Sequence, residues 1–343
     1  MKRLICAVVS VLLVGLSLCT GCKKEETPTV GGATPVAAAE KVKIGFLVKQ
    51  PEEPWFQVEW QFADKAGQKN GFEVIKLGVL DGEKTLAAID NLAAQGAKGF
   101  VICTPDVRLG LAIVAKAKAN DLKLMTVDDQ LLGPDGKAMS DVHHLGVAAR
   151  DVGHVSGQSL WDEFKKRSWP VEQTAACVVT FEELDTARER TEGIIEKLIA
   201  SGFPKERIFK VPQKTTDIPG SFDAANILIT QHLEVKYWLT AGMNDNATLG
   251  AVRALEGRGF TDKTAIGIGI NGTDCIDEFK KPSPTPFFGS VLMEANIHGY
   301  DTAESMYIWI KDGTEPAMAR FTGGVLITRD DFEKKLKDHG MWR

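Results

Sequence analysis

A lysine, two glutamates, two prolines and two aromatic rings follow an apolar run in Val48-Lys49-Gln50-Pro51-Glu52-Glu53-Pro54-Trp55-Phe56. A turn has no use for the aromatics, and a core has none for the charges. Similar polar residues stand after other apolar runs: Pro105-Asp106, Asp128-Asp129-Gln130, then Glu183, Asp185, Arg188 and Arg190, then Met243-Asn244-Asp245, and Asn271. Carboxylate and amide oxygens accept hydrogen bonds from hydroxyls, and Lys, Arg and Asn nitrogens donate to them, more strongly where one partner is charged. A pyranose offers both the hydroxyls and an apolar C–H face that Trp55 or Phe56 can cover. Pro51 and Pro54 stiffen their segment and lower its ordering cost. Each residue also has a plain reading: core packing for Trp55-Phe56, a cap or solvated turn for Asp128-Asp129, a solvated helix face for Arg188 and Arg190. Their shared position joins them.

That position is set by alternating β-rich runs and amphipathic stretches. Strands are expected at Val42–Val48, Phe72–Leu77, Gly99–Thr104, Leu122–Val127, Ala176–Phe181, Lys236–Gly242, Thr264–Asn271 and Phe287–Leu292, with helical patterns such as "FQVEWQFADKAGQKNG" and "EKTLAAIDNLAAQG" between them. Such alternation implies an α/β fold of parallel sheets covered on both faces. The units are too many for one comfortable sheet, so two doubly wound lobes are expected. Ligands of that architecture bind beyond the carboxyl ends of the strands.

The first forty residues stand apart. "MKR" followed by "LICAVVSVLLVGLSL" reads as an export signal over residues 1–21. Thr20-Gly21-Cys22 resembles a bacterial lipobox, with Cys19 where leucine is usual, and implies a lipid on Cys22. Residues 22–40, rich in Thr, Pro, Ala and Gly, read as a flexible tether. No later stretch has the length of a membrane span.

The chain carries a formal charge of −5; loss of Lys2 and Arg3 with residues 1–21 makes it about −7. With no long basic run, a nucleic-acid partner is not expected. Cys103, Cys177 and Cys275 are widely spaced beside apolar runs and read as buried free thiols. Gly267-Ile268-Gly269-Ile270-Asn271-Gly272 matches a dinucleotide fingerprint, but its first two glycines fall inside the strand instead of the turn after it. His143-His144 lacks companions at metal-ligand spacing, and no calcium loop or nucleophile elbow is present. Neither a metal nor a cofactor is expected.

The segments "KIGFLVKQPEEPWFQ", "FADKAG", "GFEVIKL", "DGEKTL", "GAKGFVICTPD", "VDDQ", "ELDTAR", "DIPGSFDAAN", "GMND" and "IGIGING" closely resemble the L-arabinose-binding family of bacterial ABC sugar import, over about Lys41 to Lys335. The resemblance implies a type I periplasmic binding protein with two lobes joined by a multi-strand hinge. The lobes would comprise residues 41–147 with 294–323, and 148–293 with 324–343. It further implies a monomer, and no enzyme, that closes over one monosaccharide and delivers it to an ABC permease. The sugar contacts would fall on Lys49, Glu53, Trp55, Phe56, Asp128, Asp129, Leu184, Thr186, Arg190, Met243, Asn244 and Asn271, with Cys103 near the pocket. Gly146-Val147 stands where the family has a methionine pair close to the sugar, so room for a larger ligand such as D-galactose or D-fucose is expected beside L-arabinose. Arg190→Ala or Asp129→Ala is expected to abolish binding with little loss of fold. A sugar sensor feeding a receptor and an exported carbohydrate enzyme are the alternative functions.

Overall fold

The computed structural model describes residues 41–342, so the expected signal, tether and lipidated Cys22 lie outside the described residues. The described chain forms two six-stranded sheets. Strands β1 (Lys43–Val48), β2 (Glu73–Gly78), β3 (Gly99–Ile102), β4 (Lys123–Asp128) and β5 (His143–Val147) enter the first sheet. Strands β6 (Thr174–Thr180), β7 (Ile208–Pro212), β8 (Tyr237–Gly242), β9 (Ala265–Asn271) and β10 (Phe287–Met293) enter the second. The chain then returns for β11 (Ala319–Thr322) in the first sheet and β12 (Gly324–Thr328) in the second. The strand orders are β11-β5-β4-β3-β1-β2 and β12-β10-β9-β8-β6-β7.

Helices α1 (Pro54–Asn70), α2 (Gly82–Ala94) and α3 (Gly110–Ala119) alternate with the early strands. Helices α4 (Ala149–Arg167), α5 (Asp185–Ala200), α6 (Ile218–Gln231), α7 (Asp245–Glu256) and the short α8 (Ile276–Phe279) belong to the second sheet, α9 (Ala295–Asp312) returns to the first, and α10 (Phe332–Asp338) follows β12. Helices α1 and α9 pack together over one face of the first sheet, and α2 and α3 lie together over the other. The second sheet lies between the α4–α5 and α6–α7 pairs. Strands covered on both faces are buried along their length, as β3, β6 and β9 are, and read as continuous apolar runs for that reason.

The chain passes between the sheets at Ala148, Glu294 and Gly323. The last passage produces the one pairing that departs from the parallel expectation: β10 and β12 are antiparallel. Every helix-linked strand runs toward the boundary between the sheets. Strand β12 enters straight from β11 across Gly323, so it starts at that boundary and must run away from it. Four further strands, β5, β7, β11 and β12, were not among those expected from β-rich runs. They are short, and include histidine, proline or exposed positions that dilute the pattern.

Candidate functional site

The carboxyl ends of β1, β4, β8, β9 and β10 meet the first turns of α1 and α5 around one small cavity of about 80 Å³. The twelve residues expected to touch a ligand line it: Lys49, Glu53, Trp55, Phe56, Asp128, Asp129, Leu184, Thr186, Arg190, Met243, Asn244 and Asn271. Cys103, expected near the pocket, does not itself line the cavity; its Sγ lies behind the site, 3.6 Å from Asp129 Oδ2. Gln50, Ala187, Thr216 and Met293 complete the wall. Of these, Met293 ends β10 just before a passage between the sheets. No sequence motif marks it.

Local structure aims these side chains. Pro54 opens α1, where a missing N–H is no loss, and Trp55 and Phe56 follow in its first turn. Asn244 caps α7 by accepting from Ala247 N at 2.8 Å, which leaves its NH2 as the group it can offer the cavity. Asp128 (φ 64°) and Asn271 (φ 122°) end their strands with positive φ, a conformation rare outside glycine and a form of strain found at functional sites. Gly267 and Gly269 lie within β9, where an added Cβ would press on Val252 and collide with the Asp245 carboxylate of α7. Close helix approach accounts for them.

The charges are unevenly satisfied. Lys49 Nζ lies 2.6 Å from Asp129 Oδ2, and the Thr186 hydroxyl donates to Asp129 Oδ1 at 2.6 Å. Burial alone would push Asp129 up, but the Lys49 charge and these hydrogen bonds hold it below the usual range. Burial would lower Lys49, and Asp129 with Cys103 and Asp128 raises it instead. Asp128 is likewise opposed by burial, yet His298 and Trp55 pull it down to about 2. Glu53 is pushed up to about 7 by burial and then by the negative charge of Asp274. Arg190 is lowered by burial. Its Nη1 donates to the Met243 carbonyl at 3.1 Å, while its Nε is buried without an acceptor. A buried, unpaired guanidinium donor in a cavity wall is costly unless something else fills the site.

Two further features lie beside the cavity. Neither Gly146 nor Val147 lines the cavity. A Cβ added at Gly146 would collide with the imidazole of His144, two residues back on the same strand face, so the histidine already fills the space the glycine leaves. Val147, however, lines an adjoining cavity of about 170 Å³ that shares Asp128, Asp129, Leu184 and Thr186 with this one. Beneath the cavity, Glu59, Asp128 and His298 also bring ligand-type atoms within 4.8 Å of one another, a cluster with no signal in the sequence spacing. His298 Nδ1 lies 2.7 Å from Asp128 Oδ1, so a proton already joins this pair where a cation would have to sit.

Residues 41–334 match the family model described as periplasmic binding proteins and sugar binding domain of LacI family. The chain is 55% identical over 306 residues to the L-arabinose-binding periplasmic protein of Escherichia coli K12, covering 89% of this chain and 93% of that one. It is 47% identical over 301 residues to an ABC transporter L-arabinose-binding periplasmic protein of Azospirillum brasilense, covering 88% and 90%. Among solved structures, the fold is shared with an ABC transporter periplasmic solute binding protein of Actinobacillus succinogenes 130z with bound D-allose, at TM-score 0.72 and 14% identity over 86% of this chain and 100% of that one. Two sheets with ligand-type side chains gathered where their strands end, together with a family match over nearly all the described residues, establish that this chain belongs to the periplasmic binding proteins and LacI-type sugar-binding domains.

Proposed function

We propose that this protein is an exported receptor that binds one monosaccharide, L-arabinose first, between two lobes and delivers it unchanged to an ABC import permease. The observation that carries the reading is Arg190 Nε, buried without an acceptor in a cavity whose other groups are carboxylates, an ammonium, amides and aromatic rings. A polyhydroxylated ring meets that set, with acceptors for the guanidinium and amides, donors for Asp128, Asp129 and Glu53, and a C–H face for Trp55 or Phe56. The two relatives, both L-arabinose-binding periplasmic proteins, favour L-arabinose. The lobes would be residues 41–147 with 294–323 and 148–293 with 324–343, closing about the passages at Ala148, Glu294 and Gly323. The receptor works as a monomer outside the cytoplasm, anchored through a lipid on Cys22.

A thermal-shift panel of L-arabinose, D-galactose, D-fucose, D-xylose, D-ribose and D-glucose tests this, because a ligand of the native state alone raises the melting temperature. The largest rise is expected with L-arabinose. No rise with any sugar would overturn the reading. Mass spectrometry of the incubated sugar should find it unchanged.

A further inference from the structure

The Asp128 carboxylate is held from behind. Trp55 Nε1 donates to its Oδ2 at 3.1 Å, and His298 Nδ1 lies 2.7 Å from its Oδ1. An ionised carboxylate only accepts, so this Nδ1 bears a proton. With one protein donor on each oxygen, the carboxylate plane is fixed and its remaining acceptor capacity is left for the cavity. On the far side of the imidazole, Nε2 lies 2.7 Å from Thr322 Oγ1. Thr322 is the last residue of β11, directly before the passage at Gly323. Neither ring nitrogen is spare. Glu59 is fully buried beside the ring, its Oε1 3.9 Å from Nδ1, and both its oxygens lack hydrogen-bond partners. Burial and then the charge of Asp128 push its carboxyl well above the usual range.

We propose that His298 is a positioning residue for ligand binding, fixing the cavity-facing Asp128 and tying it to the strand that carries the chain between the lobes. The proposal rests on the sugar-binding reading of the cavity. Charged and titratable groups face this unit from several elements: Glu59 from α1, Lys49 after β1, Asp129 after β4 and His144 from β5. A hydrogen bond to a charged group typically contributes enough to change an affinity by roughly tenfold or more.

The test is L-arabinose affinity by calorimetry for native protein, His298→Leu, His298→Gln, Thr322→Val and Asp128→Asn, with the Asp128→Asn/His298→Leu double variant. Carboxyl NMR titration of the ligand-free proteins is run beside it. His298→Leu is expected to weaken binding about tenfold or more and to raise the Asp128 titration midpoint. His298→Gln, which keeps a donor and an acceptor, should recover most of the affinity. In the Asp128→Asn background, His298→Leu should add little, because the two act as one unit. Native-like affinity in His298→Leu, or losses that simply multiply in the double variant, would overturn the proposal. If His298→Leu does not fold, Thr322→Val carries the test: it keeps the ring, removes the far partner and should weaken binding severalfold, and unchanged affinity would count against the tie to β11. If native protein binds no sugar, the functional reading fails. The NMR arm still decides whether His298 governs Asp128, and an unmoved midpoint would overturn that too.

Discussion

Thr186 donates its hydroxyl to Asp129 at 2.6 Å, and the two residues belong to different sheets: Asp129 follows β4, whereas Thr186 stands in the first turn of α5. With Lys49 on its other oxygen, Asp129 is at once a cavity wall, a counterion and a latch.

That triple role changes what Asp129→Ala should do. Lys49 is only 18% exposed in its side chain, so removing its partner strands an ammonium in a poorly solvated place. We expect loss of sugar binding together with a stability loss of about 1–3 kcal/mol, instead of the intact fold that the sequence alone suggests. Lys49→Met in the same chain should restore the stability and leave binding absent. Urea unfolding of the single and double variants checks both statements.

Arg190 should behave in the opposite way. Its half-buried side chain makes one hydrogen bond and its buried Nε makes none, so the ligand-free fold gains little from it. Arg190→Ala should leave the ligand-free stability within about 1 kcal/mol of native or slightly above it, while affinity falls at least about a hundredfold. A melting temperature well below native would show that the residue supports the fold.

Glu53 makes stability depend on pH. Its carboxyl titrates near 7 in the folded protein against an ordinary 4.5. Between those values the unfolded chain has released a proton that the folded chain still holds. Unfolding free energy therefore falls as pH rises from about 4.5 to 7, at up to about 1.4 kcal/mol per pH unit from this group. Asp245, pushed up to about 8 by burial and Asp274, adds a slope of the same sign. The informative quantity is thus the difference between native protein and Glu53→Gln, whose curve should be flatter. Urea melts at pH 5, 6, 7 and 8 measure it, and parallel curves would exclude the effect.

The α4–α5 crossing carries a fourth expectation. A Cβ added at Gly153 would collide with the Arg190 carbonyl and come 3.1 Å from the Cα of Gly193. Gly153→Ala should push α5 outward, cost about 1–3 kcal/mol and weaken sugar binding, because α5 carries both Thr186 and Arg190. Melting and calorimetry on one preparation separate the two losses.

The sheet framework and most of the cavity were legible because they share one cause. Parallel strands buried on both faces show as apolar runs, and whatever follows such a run lands at the lobe boundary. Lys49, Asp128, Asn244 and Asn271 could be found that way. Glu59 could not, since a glutamate in an amphipathic helix reads as a surface charge. Nor could His298, which lies 170 residues from the carboxylate it holds. The Gly146–His144 relation was within reach, because alternate strand residues share a face.

The three thiols of the described residues have a further consequence. Cys103, Cys177 and Cys275 are all buried and unpaired, and burial raises each above the usual thiol range, Cys177 to about 12. Thiols kept protonated and out of reach of oxidants are poor partners for disulfide exchange. With no disulfide among the described residues, the same native state should form in a reducing compartment as in an oxidising one.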